Sequence, residues 1–198
     1  QCTAYGYVLD SAPIAFKVDG EKTVVTVEKF NMPQKGVIRI TKSGEIFFSA
    51  LETDGVYSLV FADKNLAGAT YEITAAEDII TQDGTLRYAK DTVVDTLTTD
   101  EYGAAESKAL YLGKYTARET KAPYGMVLNG TSKTVELTYA GETVEVTETS
   151  AEFYNERQKA ALSLAKILGK DDIFNIGDNG EILSVRFGLY TAEDLIAA

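Results

Sequence analysis

The chain has 198 residues, of which 45% are hydrophobic, and its formal net charge is −11. A chain of this size and composition can bury a core, so we expect a globular fold and not a disordered one. The acidic balance provides no basic surface for phosphates, so we expect no nucleic acid as partner and no membrane insertion of this segment. With no histidine and only one cysteine, Cys2, we expect no metal site, no cofactor and no disulfide framework.

In chain order, short segments rich in Val, Thr and Tyr alternate between apolar and polar residues, which is typical of β-strands. Turn residues separate them, and the less regular residues 76–92 predict a short helix or a long loop. Many short strands joined by turns predict an all-β fold, an antiparallel β-sandwich. The predicted strands are 14–18, 23–27, 37–42, 56–61, 70–75, 93–98, 114–119, 133–139, 143–147, 152–155 and 162–166.

The end of the chain repeats its beginning at a long interval. Asn31 precedes Lys42 by 11 residues, and Asn155 precedes Lys166 by the same number. Both residue types therefore recur at a period of 124, from 31 to 155 and from 42 to 166. The flanks recur as well, with 5–10 echoed at 124–129, 20–24 at 141–145, and 75–79 at 191–195.

A period this long indicates tandem copies of a whole domain and not the short repeats of a solenoid. The phase of the repeat predicts three parts. They are the C-terminal part of a preceding module at 1–35, a complete module at 36–157, and the N-terminal part of a following module at 158–198.

Three polar residues of the complete module lie on apolar rows of predicted strands. Since strand side chains alternate between faces, Lys42, Glu119 and Asn155 each share a face with apolar neighbours. Alternatively, Lys42 and Glu119 extend to solvent at strand ends, and Asn155 is a turn residue before a linker. The apolar neighbours are Ile38 and Ile40 for Lys42, Tyr115 and Ala117 for Glu119, and Ala151 and Phe153 for Asn155.

If the side chains of Lys42, Glu119 and Asn155 point into the core, their chemistry predicts a reaction. Burial of an isolated charge is costly, so buried lysine and glutamate side chains are neutral or paired. A neutral lysine amine is a nucleophile, and a protonated glutamate can polarise an amide carbonyl and pass protons to leaving ammonia. We therefore predict that Lys42 Nζ attacks the side-chain carbonyl of Asn155, with Glu119 as the catalytic acid. The products are an isopeptide bond and ammonia.

Two motifs give the complete module a family resemblance. The segment 115–125, Tyr-Thr-Ala-Arg-Glu-Thr-Lys-Ala-Pro-Tyr-Gly, precedes Phe-Tyr-Asn at 153–155, and the first strand carries a lysine. With 66–73 as the second strand, this pattern resembles the Cna-B-type domain of Gram-positive adhesins and pilins, which is SpaA-like and prealbumin-like. The resemblance implies tandem prealbumin-like or Ig-like sandwiches at the cell wall. It also implies a crosslink between Lys42 and Asn155, with Glu119 as its catalytic acid.

We therefore predict a structural stalk module of a cell-wall adhesin or pilin-like protein, and not an enzyme for an external substrate. Its predicted partners are neighbouring modules of the same chain, and host matrix or glycan through another domain. The alternative is a module that itself binds a host protein or glycan, with 76–92 as the segment for such a site. Asn31 and Lys166 are predicted to belong to the sites of the neighbouring modules and to be uncrosslinked in this chain.

Overall fold

The computed structural model describes residues 3–18, 20, 24–166 and 186–194, in which all regular structure is β. None of the described residues forms a helix that could cross a membrane. The strands are β1 (Lys35–Thr53), β2 (Val56–Asn65), β3 (Thr70–Ala75), β4 (Ile79–Ile80), β5 (Leu86–Tyr88), β6 (Val93–Thr98), β7 (Ala104–Glu106), β8 (Leu110–Tyr111), β9 (Gly113–Lys121), β10 (Lys133–Leu137) and β11 (Val146–Asn155).

The chain divides into two compact units. In the second, the end of β1 and the start of β2 are joined by Asp54 and Gly55, whose φ angles are 52° and 76°. Positive φ at both positions is what a two-residue hairpin turn requires. The first unit comprises Gln1–Ile46 and Phe61–Arg157, and the second comprises Phe47–Val60 and Gln158–Ala198.

Two sheets contribute the core of the first unit. One has the order β11-β1-β2, with β7 and β8 also paired to β1, and the other has the order β10-β9-β3-β6. Inward residues of both sheets form one apolar cluster, in which the rings of Tyr71 and Phe153 lie 4.7 Å apart between centroids. The predicted all-β fold with antiparallel sheets is confirmed.

One strand pair departs from the antiparallel prediction, and it is the pair that positions the site. β1 and β11 run parallel, with Lys42 opposite Phe153 and Gly44 opposite Asn155. Because directly paired residues share a face and faces alternate along each strand, Lys42, Phe153 and Asn155 project from the same side. A Cβ at Gly44 would lie 2.5 Å from the backbone carbonyl oxygen of Asn155, so a glycine is needed there.

Several local predictions differ from the structure. Residues 14–18, the described part of 23–27, and 162–166 lie in irregular backbone, since an alternating pattern forms a strand only where a partner accepts its hydrogen bonds. The predicted strands 143–147 and 152–155 are replaced by the single strand β11, which begins at Val146, so residues 143–145 precede it. The irregular segment 76–92 holds the small β4–β5 sheet and turns.

Parts of three predictions lie outside the described residues. They are residue 23 of the predicted strand 23–27, residues 1–2, 19 and 21–23 of the predicted part of the preceding module, and residues 167–185 and 195–198 of the predicted part of the following module.

Candidate functional site

Lys42, Glu119 and Asn155 are buried in the first unit, with exposed fractions of 0%, 2% and 1%. Lys42 and Asn155 come from the neighbouring strands β1 and β11, and Glu119 comes from β9 in the other sheet. Their inward direction is the one that strand alternation predicts, and the alternative of side chains extended to solvent is wrong for these positions. The three residues thus replace apolar side chains in a sandwich core.

The Asn155 side-chain amide lies against Glu119. Its Nδ2 donates to both carboxylate oxygens of Glu119, at 2.9 Å each. Its Oδ1 is buried and accepts no hydrogen bond from the described residues. A buried acceptor without a partner costs about 1–3 kcal/mol, so this carbonyl is held in an unfavourable, unpaired state. Glu119 contacts the amide nitrogen, whereas the sequence-based mechanism began with contact to the carbonyl oxygen.

Two further groups hold the Glu119 carboxylate in place. The backbone N–H of Asn129 donates to Oε2 at 2.9 Å, and the Tyr71 hydroxyl donates to Oε1 at 3.4 Å. Burial, reinforced by the charge of Glu119, raises the pKa of Tyr71, so its hydroxyl remains a donor. Neither group was predicted from the sequence. Tyr71 could have been found from its inward row on β3, but no pattern marks a backbone N–H in the loop after β9.

The Lys42 amine is buried with few polar partners. Nζ donates to the Ser43 carbonyl oxygen at 2.9 Å, and the ion pairs formed by the described residues do not include Lys42. Burial lowers the pKa of Lys42 to about 8, although the Glu119 charge acts in the opposite direction. At pH 7 about a tenth of this amine is therefore unprotonated and nucleophilic, far more than for an exposed lysine.

The residues predicted for the neighbouring modules are Asn31 and Lys166. Asn31 is half-buried in irregular backbone, and its Oδ1 accepts a hydrogen bond from the Asp10 N–H at 3.3 Å. Lys166 is exposed, also in irregular backbone. Their roles in crosslinks of other modules stay predictions.

Comparisons with known proteins bear on the middle of the chain. Residues 62–152 match the SpaA family, described as a prealbumin-like fold domain. No curated protein matches the chain.

Three solved structures are similar to the chain. The Bacillus anthracis TIE protein is 23% identical, with 64% of this chain and 17% of that chain covered and a TM-score of 0.39. GBS52, the minor pilin of Streptococcus agalactiae, is 17% identical, with 67% of this chain and 49% of that chain covered and a TM-score of 0.42. The full-length major pilin SpaD of Corynebacterium diphtheriae is 23% identical, with 63% of this chain and 32% of that chain covered and a TM-score of 0.42. The chain therefore spans less than half of the length of each.

The family match begins within β2 and ends within β11. It includes Glu119 with its partners Tyr71 and Asn129, while Lys42 precedes it and Asn155 follows it. Residues 62–152 belong to the SpaA family of prealbumin-like domains.

Proposed function

We propose that this chain is part of the stalk of a Gram-positive cell-surface adhesin or pilin-like protein, stabilised by an isopeptide bond between Lys42 and Asn155. The observation that carries the proposal is the contact of Glu119 with the Asn155 amide, in the same core that buries the Lys42 amine. Buried ionisable groups without an obvious stabilising role are typical of sites where chemistry occurs.

In the proposed reaction the neutral Lys42 amine attacks Cγ of Asn155. A bond forms between Nζ and Cγ, the bond between Cγ and Nδ2 breaks, and Nδ2 leaves as ammonia. Glu119, which already contacts Nδ2, transfers to it the proton that Nζ gives up, so the carboxyl group returns to its starting state. The core supplies proximity and excludes water, and a single turnover is sufficient.

A covalent link at this position suits a structural role. β1 and β11 are the first and last strands of the module, and they pair in parallel. Tension applied through the two ends would pass through the Lys42–Asn155 bond, and the strands between them would carry little load. The bond also supplies the covalent stabilisation that a domain without disulfides lacks. We accordingly assign the segment a place outside the cell, with neighbouring modules as partners and no external substrate.

The alternative of a host-binding module rested on residues 76–92. This segment forms the short β4–β5 sheet and turns, with Ile80 and Leu86 as its exposed large hydrophobic residues. Ile80 and Leu86 are directly paired across the two strands, and one exposed aliphatic pair does not distinguish a binding surface from an ordinary protein surface. The structural role is therefore the function we propose.

The direct test is the intact mass of the purified chain. We expect a mass lower than the sequence mass by one ammonia, and a branched peptide containing Lys42 and Asn155 after digestion. Lys42→Met should have the full mass expected for its sequence, because it lacks the nucleophile. A wild-type chain that keeps its full mass after prolonged incubation in the folded state would refute the crosslink.

The rate of bond formation should depend on pH through the Lys42 amine. Because the pKa of Lys42 is lowered to about 8, the neutral fraction rises with pH below that value and levels off above it. In chain prepared unfolded and uncrosslinked by chemical synthesis and then folded by dilution from denaturant, the initial rate of ammonia loss should increase by about tenfold per pH unit below pH 7 and level off near pH 8 to 9. Timed acid quenching followed by mass spectrometry measures this rate. A rate independent of pH from 5 to 9 would contradict an amine nucleophile with that pKa.

A further inference from the structure

Gln34, just before β1, is a buried polar residue that the crosslink does not use. Its exposed fraction is 1%. Its Oε1 accepts a hydrogen bond from the Ala140 N–H at 2.9 Å, and its Nε2 donates to the carbonyl oxygens of Gly141, at 2.9 Å, and Val144. All three partners lie in residues 138–145, which connect β10 to β11 and are called here the β10–β11 loop. A side-chain amide used in this way fixes the loop and the chain entering β1 relative to each other.

The N-terminal residues 3–9 attach to the same loop. The Leu9 N–H donates to the Glu142 carbonyl oxygen at 2.7 Å, and the Thr3 N–H donates to a Glu142 carboxylate oxygen at 3.2 Å. The Tyr5 ring lies 4.6 Å from the ring of Tyr139 between centroids. Gln34 contacts both the loop and residues 3–9, because its side chain binds the loop and its backbone N–H donates to the Gly6 carbonyl oxygen at 2.8 Å.

The backbone around Tyr7 has a counterpart in the complete module. Tyr7 pairs with Pro33 in an isolated antiparallel bridge, and Met126 pairs with Arg157 in the same way. These residues correspond in the sequence repeat, Tyr-Gly-Tyr at 5–7 to Tyr-Gly-Met at 124–126 and residue 33 to residue 157. Two hydrogen bonds recur with them. The Val8 N–H donates to the Met32 carbonyl oxygen at 2.9 Å, and its counterpart, the Val127 N–H, donates to the Glu156 carbonyl oxygen at 2.8 Å. The Tyr7 N–H donates to the Ala4 carbonyl oxygen at 3.2 Å, and its counterpart, the Met126 N–H, donates to the Pro123 carbonyl oxygen at 3.1 Å.

The second copy of this arrangement leaves two residues exposed. Gln158 stands three residues after Asn155, as Gln34 stands three after Asn31, and it is exposed. Tyr124 corresponds to Tyr5 and is fully exposed. One period beyond the β10–β11 loop falls past residue 198, so the loop that these two residues would meet is not in this sequence.

We propose that Gln34 locks the junction between two successive modules. The β10–β11 loop is the receptor surface for the end of the preceding module, residues 3–9, and Gln158 is the equivalent lock for the following module. The inference rests on the proposed tandem arrangement, and it specifies that neighbouring modules are joined rigidly at a built interface. A junction of this kind would hold successive modules in one orientation and transmit tension from one to the next along a fixed axis.

The test compares Gln34→Met with Gln158→Met in the 198-residue chain by amide hydrogen exchange. Methionine preserves the side-chain length but makes none of the three hydrogen bonds. Loss of these bonds should accelerate exchange about tenfold to hundredfold at Leu9 and in the β10–β11 loop, with β9 unchanged. Gln158→Met removes the same residue type at the repeated position and should leave exchange at Leu9 and in the loop unaltered.

Unchanged exchange at Leu9 and in the loop of Gln34→Met would overturn the lock. Acceleration that extends equally to β9, or loss of the folded state, would also overturn it, because Gln34 would then support the whole fold. The mass of each variant is read separately. If Gln34→Met accelerates exchange at Leu9 and in the loop but the wild-type chain has its full sequence mass, the crosslink alone is refuted. If the wild-type chain is one ammonia lighter but Gln34→Met leaves that exchange unchanged, the junction alone is refuted.

Discussion

Lys42→Met is expected to lower the melting temperature of the module by roughly 10–20 °C. The proposed link between Lys42 and Asn155 would close a loop that contains most of the first unit. In the chain-entropy model such a closure stabilises the folded state by about 4–5 kcal/mol, because it restricts the unfolded chain. Methionine fills nearly the same volume in the core and carries no charge, so its packing cost is small. Calorimetry of both proteins gives the difference.

Two variants separate the crosslink from the packing at position 42. Asn155→Ala removes the other partner of the bond and should lose about the same stabilisation. The double variant at positions 42 and 155 should be little less stable than either single variant, because each single variant already removes the whole bond. Lys121→Met, on the exposed end of β9, should leave the melting temperature within about 2 °C. Additive losses at positions 42 and 155 would contradict a shared bond.

Glu119→Gln is expected to leave the fold intact and to slow bond formation by about 10²–10⁴-fold. Glutamine has the same shape and can still accept from the Asn129 N–H, but it cannot carry a proton from Nζ to the leaving Nδ2. When both chains are prepared unfolded and uncrosslinked by chemical synthesis and then folded, Glu119→Gln should therefore retain its ammonia over the time in which the wild-type chain loses it completely. Intact mass against time measures both rates, and circular dichroism shows whether the variant folds.

Glu72→Gln is the matched control for charge. Glu72 follows Tyr71 on β3 and points to the other face, where it forms a surface ion pair with Arg118. Surface pairs of this kind contribute little to stability, so the variant should form the bond at the wild-type rate. Equal rates in Glu119→Gln and the wild type would remove Glu119 from the proposed mechanism.

Tyr71 and Asn129 extend the site beyond the three residues proposed for the reaction. Both donate to the Glu119 carboxylate, one through a side chain from the same sheet and the other through the backbone of the loop after β9. By orienting the carboxylate they align its two oxygens with Nδ2 of Asn155. The unpaired Oδ1 of Asn155 is the remaining polar atom, and it is where negative charge would develop when Cγ is attacked.

Residue alternation along single strands was sufficient to predict which side chains point into the core. Lys42, Glu119 and Asn155 each follow apolar residues at intervals of two, and the face of a strand residue is a local property of the extended backbone. The all-β fold followed from the same pattern, because strand segments separated by turn residues leave few other architectures. The motif at 115–125 supported the family to which residues 62–152 belong.

Alternation alone could not decide which strands become neighbours. Residues 14–18 and 162–166 alternate as convincingly as β3 does, but among the described residues they have no paired strand and remain irregular. Strand formation depends on a partner that satisfies the backbone donors and acceptors, and that partner is chosen by packing far along the chain.

The site itself depends on such long-range choices. The parallel register of β1 and β11 places Lys42 and Asn155 on one face, and the opposing sheet brings Glu119 onto the Asn155 amide. The pKa of Lys42 is lowered because the assembled core removes water from the amine. The sequence by itself determined which three side chains face inward. Only the tertiary structure decided that Glu119 contacts Asn155 in the core that also buries Lys42, since contacts between distant strands are set by sheet pairing and not by local periodicity.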